Sequence, residues 1–206
     1  MDKKGFCIFV FEFQIHMKKL SFILVLSVLF FVQCKDSEQS IEIGEVTERS
    51  PEEIASIVDY APTFSLPSIE GSQVSLTDLK GKYLFVDIWA TWCRPCLQQL
   101  PAMKELEEKY RDTDIEFVSI SIDNDRDKAK WQKMIQEKQM TGIQLFAGKG
   151  TSFHRDYEIS TIPKFLIIGK NGEIINENPP RPMDHTTGQV NQQLVSILDG
   201  LMQNEM

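Results

Sequence analysis

Cys93 and Cys96 stand three positions apart in Trp92-Cys93-Arg94-Pro95-Cys96, and two thiols at that spacing are suited to making and breaking disulfides. If a helix begins at the pair, the unpaired backbone N–H groups of its first turn favour an anion on the first sulfur. Thiolate is the attacking form of cysteine, so Cys93 is the expected nucleophile. Cys96 lies one turn further on, within reach of a mixed disulfide, and is the expected resolver. Arg94 puts a positive charge beside Cys93. As an electrostatic partner it favours the thiolate and makes the disulfide a better oxidant; as a solvated side chain it does neither. Zinc also uses C-x-x-C, but structural zinc takes four Cys or His ligands, often as two spaced pairs. The remaining cysteines are Cys7 and Cys34, and His154 and His185 are isolated, so no metal site is expected. No cofactor is expected beyond the redox-active Cys93–Cys96 disulfide.

These residues need elements to hold them. Tyr83 to Ala90 is apolar on both faces, the pattern of a strand covered on both sides, with Asp87 as the exception. A lone carboxylate on the face shared with Phe85 and Trp89 loses hydration, which raises its pKa unless a local hydrogen bond holds it. After Cys96, apolar residues recur at Leu97, Leu100, Met103, Leu106 and Tyr110, a helical spacing that Pro101 should kink. Ile115 to Ile122 reads as a second central strand, Asp127 to Gln139 as a helix, and Ile143 to Phe146 as a short strand. Phe165 to Ile168 and Glu173 to Ile175 flank Asn171-Gly172, a hairpin signal, and Val190 to Leu201 forms a closing helix. Ahead of the central strand, Phe64, Leu66 and Ile69, the turn Glu70-Gly71, and Val74 and Leu76 read as a β-hairpin, followed by one helical turn to Leu79. The fold class is α/β, a mixed sheet flanked by helices, without internal repeats.

At this level of detail the chain resembles a known family. Val86-Asp87-Ile88-Trp89-Ala90-Thr91-Trp92-Cys93-Arg94-Pro95-Cys96 resembles the active-site strand and helix start of thioredoxins, and Thr161-Ile162-Pro163 resembles their cis-proline loop. The preceding hairpin and the α/β insertion between Ile122 and Ile162 resemble the TlpA/ResA branch, membrane-tethered extracytoplasmic thioredoxins. The resemblance covers roughly residues 60–200 and implies a thioredoxin-like fold. It implies that Asp87 accepts the proton of the resolving cysteine. It implies that Pro163 is cis, leaving the Ile162 backbone to pair with an extended substrate, and that Trp92 shields Cys93 and contacts substrate. Trp89 belongs to the core. The branch also carries a second acid near the disulfide, a role for which Asp125 stands in the right region; an N-cap is the competing reading. Disulfide reduction fits this branch, often in cytochrome c maturation, with protein thiols or disulfides as substrate and an upstream membrane electron donor.

Two other functions compete. A thiol peroxidase of the AhpC/TSA type needs a Thr three residues before its reactive cysteine. Position 90 is Ala, and Thr91 is displaced. A non-catalytic substrate-binding or chaperone module would not require Cys93, Cys96 and Asp87 together. The formal net charge of -8 and the lack of any Lys/Arg cluster argue against nucleic-acid binding. A monomer is expected.

The front of the chain reads as an address. Met17-Lys18-Lys19 and the apolar run Leu20 to Val32 form a basic n-region and a short h-region, too short for a comfortable transmembrane helix. Residues 1–34 are therefore an export signal, with 1–16 a candidate mis-assigned upstream start. Residues 35–59 are a polar tether, and 60–206 are the thioredoxin-like domain. Cys34 closes the signal as in bacterial lipoproteins, although Gln33 departs from the usual small residue before the cysteine. This places the domain outside the cytoplasm, in the periplasm, held to a membrane. Mass spectrometry of the membrane fraction should find Cys34 lipid-modified at the mature N-terminus; an unmodified Cys34 still joined to Gln33 overturns that reading.

Overall fold

A segment as apolar as Tyr83–Trp89 is stable between two other strands, with cover above and below. The computed structural model, which describes residues 58–203, shows that arrangement. Strand β3 (Tyr83–Trp89) runs parallel to β4 (Ile115–Ser121) and antiparallel to β6 (Lys164–Ile168). β5 (Ile143–Phe146) adds in parallel beyond β4, and β7 (Ile174–Asn176) adds antiparallel beyond β6. The sheet order is β5-β4-β3-β6-β7, a mixed sheet. The β6–β7 connection turns through Asn171 and Gly172. Gly172 takes φ +97, and Gly169 N–H closes the loop on the Glu173 carbonyl at 2.7 Å. The positive φ is the reason for glycine there.

Each face of the sheet has its own cover. On one face, Phe85, Phe117, Phe165 and Ile167 pack against Met103, Leu106 and Tyr110 of α2 (Leu100–Lys109) and against Leu194 and Leu198 of α5 (Gln192–Gln203). On the other, Val86, Ile88, Val118, Ile120 and Leu166 pack with Trp131 and Ile135 of α3 (Lys128–Lys138) and Phe153 of α4 (Ser152–Asp156). The expected hairpin forms as β1 (Ser65–Pro67) and β2 (Gln73–Ser75). It joins this second face through Phe64 and Leu66, and Ile69 N–H bonds to the Gln144 carbonyl at 3.0 Å.

The helix expected after Cys96 is broken rather than kinked. α1 (Arg94–Leu97) stops, and α2 starts again at Leu100 with Pro101 in its first turn. Proline has no N–H to continue the ladder, and it is tolerated where a helix begins. α4 is five residues long, too short to show a period in sequence, and was not expected. Among the described residues no helix is long and apolar enough to cross a membrane. The export signal, Cys34 and the tether as far as residue 57 lie outside the described residues.

Candidate active site

β3 ends at Trp89, and the chain turns through Ala90-Thr91-Trp92 into α1. The turn is closed by a Cys93 N–H bond to the Ala90 carbonyl at 3.0 Å. Cys93 is the N-cap of α1 with extended backbone, and its sulfur accepts the Cys96 N–H at 3.2 Å. A backbone donor aimed at the first sulfur is the feature that favours its thiolate on reduction. Cys93 and Cys96 are joined as a disulfide. Both are nearly enclosed, at 4% and 3% exposure, whereas Trp92 beside them is 58% exposed. Arg94 is also exposed and points no charge into the fold.

Ile162–Pro163 is a cis peptide bond. Lys164, the next residue, pairs with Ile88 in the β3–β6 register, so Pro163 enters the sheet at the end of β3 from which the cysteine loop departs. Cys93, Cys96, Trp92, Ile162 and Pro163 thus lie at the same end of the central strands. Asp125 does not join them. It is exposed, in the 3-10 turn Asp125–Asp127, and it lines a cleft of about 670 Å3 on the hairpin side with Phe64, Phe146 and Thr151. Its carboxyl lies close against Gly148, and it is not the N-cap of that turn, a position held by Asn124.

The acid that does hold the site is Asp123, two residues earlier and fully buried. Its carboxyl oxygens accept the Thr91 N–H at 2.9 Å, the Thr91 hydroxyl at 2.8 Å and the Ser121 hydroxyl at 2.8 Å. The turn before Cys93 is therefore pinned to the end of β4. Thr91 is committed to this contact, and Ala90 offers no hydroxyl, so nothing here reproduces the peroxidase threonine. Gln99 is a second residue the sequence did not flag. Buried at the α1–α2 break, it accepts the Met183 N–H at 3.0 Å and ties the segment after β7 to the active-site helices. A polar residue directly after a two-sided buried strand, spaced i, i+2 from Ser121, was the available signal for Asp123.

Asp87 lies in the middle of β3, 3% exposed, and its Oδ1 has no hydrogen-bond partner among the described residues. Burial, with a smaller contribution from the Glu107 carboxylate, pushes its pKa up to about 8. Among the described residues no group of His, Cys, Asp and Glu could hold a metal ion.

This geometry can be set beside known proteins. Residues 57–176 match the family model described as AhpC/TSA family. The chain belongs to the AhpC/TSA family. Two Bacillus cereus proteins named thiol-disulfide oxidoreductase ResA are similar to it. One is 31% identical over 117 residues, 57% of this chain and 66% of the relative. The other is 31% identical over 128 residues, 62% of this chain and 72% of the relative. The solution structure of a candidate thiol-disulfide oxidoreductase from Bacteroides vulgatus is 47% identical with a TM-score of 0.57, covering 68% of this chain and 89% of that one. Within the AhpC/TSA family, then, this chain is a redox enzyme of the thiol–disulfide oxidoreductase kind, with a thioredoxin-like fold and Cys93–Cys96 as its pair.

Two predictions follow from the buried acids. Asp123→Ala leaves three donors without acceptors and should destabilise the oxidised protein by about 2–3 kcal/mol in urea unfolding. A loss within experimental error would show that water replaces the carboxyl. Asp87 acts in the opposite sense. Its folded pKa lies above the unfolded value near 4, so between about pH 4 and pH 8 the folded protein holds a proton that the unfolded chain has released. Stability therefore falls as pH rises through that window. Asp87→Asn should stabilise the oxidised protein on the order of 2 kcal/mol or more at pH 8 and far less at pH 4. An equal effect at both pH values would contradict this assignment.

Proposed function

We propose that this protein is a reductase of protein disulfides outside the cytoplasm, tethered to a membrane through Cys34 and recharged by a membrane-bound dithiol donor. Cytochrome c maturation is the setting that its TlpA/ResA resemblance favours. The observation that carries the proposal is Asp87, a buried carboxyl whose Oδ1 has no hydrogen-bond partner among the described residues, with its pKa pushed up to about 8, on the strand that leads into the cysteine pair. A carboxylate of that basicity accepts a thiol proton more readily than an ordinary one.

The reaction begins with Cys93 as thiolate attacking one sulfur of a substrate disulfide. The substrate S–S bond breaks, a Cys93–substrate disulfide forms, and the other substrate sulfur leaves as thiolate and is protonated by water. Cys96 then gives its proton to Asp87 as its sulfur attacks the Cys93 sulfur. The mixed disulfide breaks, the second substrate thiolate departs, and the Cys93–Cys96 disulfide remains, two electrons having passed to the substrate. A dithiol donor returns the pair to its reduced form. Trp92 and the Ile162 backbone beside Pro163 form the surface on which an extended substrate segment docks.

Peroxidase chemistry is the weaker reading, because Ala90 and the Asp123-bound Thr91 leave no hydroxyl to orient a peroxide. Two measurements test the proposal. Cys96→Ser should accumulate a Cys93–substrate mixed disulfide that Cys93→Ser does not form. The reduction potential of the pair should fall toward the reducing end of the known range, near about -270 mV. A value near about -120 mV makes the protein an oxidant and overturns the direction proposed.

A further inference from the structure

Asp87 must lose the proton it takes from Cys96, and a cleft beside its neighbour on β4 offers a direction for it. Its register partner on the parallel strand β4 is Ser119, so the two side chains lie on the same face of the sheet. Ser119 is buried, yet it forms part of the wall of a cleft of about 320 Å3 that opens between α2 and the end of α3. Leu97, Met103, Lys104, Glu107 and Lys138 line the same cleft. It therefore runs from the neighbourhood of Asp87, past the residue that follows Cys96, to water.

Glu107 is half-buried on this wall, where it accepts a hydrogen bond from the Thr141 hydroxyl. Gly142 packs so closely beside it that a Cβ there would meet the Phe117 carbonyl at 2.7 Å and Glu107 Oε1 at 3.3 Å. The position of Glu107 is thus defined from two sides. We propose that Glu107 is a positioning residue for the resolving step: its carboxylate sets how strongly Asp87 holds a proton, and the cleft it lines carries that proton to solvent. The inference rests on the reading of Asp87 as the base toward Cys96.

The charges around Asp87 bear this out. On its face of the sheet, β4 contributes neutral Ser119, β6 contributes Phe165, and α5 packs through Leu194 and Leu198. The charged groups on the cleft wall are Lys104 and Glu107 from α2 and Lys138 from the end of α3, and of these Glu107 is the one that raises the pKa of Asp87. Burial raises the pKa of Glu107, with the Thr141 hydrogen bond and Lys104 pulling it part of the way back. Of the further charges near Glu107, Lys82 is paired with Glu116 at 3.0 Å and Arg111 with Glu108. A second negative charge in the neighbourhood of an already desolvated carboxyl makes the ionised form of Asp87 costlier, and so makes it the stronger base.

The probe is a mixed disulfide between Cys93 and a chromogenic nitrothiobenzoate, whose release on attack by Cys96 is followed by stopped flow across pH. Glu107→Gln should move the midpoint of the rate profile to lower pH by about half a unit or more, and Glu107→Lys should move it further the same way. A merely structural role would not order the three side chains by charge. If Asp87→Asn flattens the profile but both Glu107 variants superimpose on wild type, or shift it upward, the role of Glu107 is overturned and the base reading stands. If Asp87→Asn itself keeps the wild-type profile, the base reading fails and takes this inference with it.

Discussion

Burying Asp87 removes the hydration of a carboxylate, and no donor among the described residues replaces it at Oδ1. Such a group is tolerable only where everything around it is fixed well enough to supply the difference. β3 meets that condition. It lies between β4 and β6, with Phe85, on the same face as Asp87, stacked on Phe165 and tilted against Phe117, at centroid distances of 5.6 Å on either side. α2 and α5 close that face, and the hairpin, α3 and α4 close the other. The two-layer cover that makes β3 a central strand also strips most of the hydration from Asp87, and so raises its pKa to about 8, where a fraction stays ionised at neutral pH to take a proton. Core packing and acid–base chemistry are here one constraint.

Asp123 shows the other outcome for a buried acid. It follows β4 as Asp87 sits within β3, and it is at least as deeply enclosed, yet its oxygens meet three donors. A satisfied carboxyl anchors; an unsatisfied one is left available for proton transfer. Asp123 fixes the turn that presents Cys93, and Gln99 fixes the segment beyond β7 against the break between α1 and α2. The disulfide therefore sits on a short helix whose approach and exit are both tied to other elements. Trp92, Arg94, Pro95 and Gln98 around it are exposed. The site is held at both ends, with one exposed aromatic, Trp92, at its rim.

Most of the fold was legible because its signals are local and redundant. The central strand, the hairpins and the closing helix each occupy the segment their periodicity indicates, while the helix after Cys96 keeps its helical segment but breaks at Gln98–Gln99, where the sequence reads as a single helix kinked at Pro101. α4 was not legible: five residues around Phe153 are held by the packing of Phe153 and Tyr157 on Phe64, a contact about ninety residues apart in sequence that no local pattern announces. The same limit governs the site. Cys93, Cys96 and Asp87 were readable from spacing and from polarity out of place. Asp123 and Asp125 both stand in Asp123-Asn124-Asp125, and choosing between them needs the direction of a side chain. Two residues beyond the strand end separate a carboxyl that turns toward Thr91 from one that turns toward Gly148. Glu107 reads in sequence as one more polar residue on an amphipathic helix; only the approach of Thr141 and Gly142 marks it.

The direction of electron flow turns on which charges the reduced pair feels. Thiolate on Cys93 stabilises the dithiol and raises the potential, so cations near the pair favour an oxidant and anions favour a reductant. Arg94 is adjacent in sequence but exposed, and the high dielectric of the surrounding water weakens such a charge. Asp87 and Glu107 lie on the protein side, where screening is weak and the field is felt more strongly. As pH rises and Asp87 ionises, the buried negative charge grows while the contribution of Arg94 stays constant. The balance then shifts against the dithiolate and toward the disulfide, which is the state a protein must prefer if it is to hand electrons on.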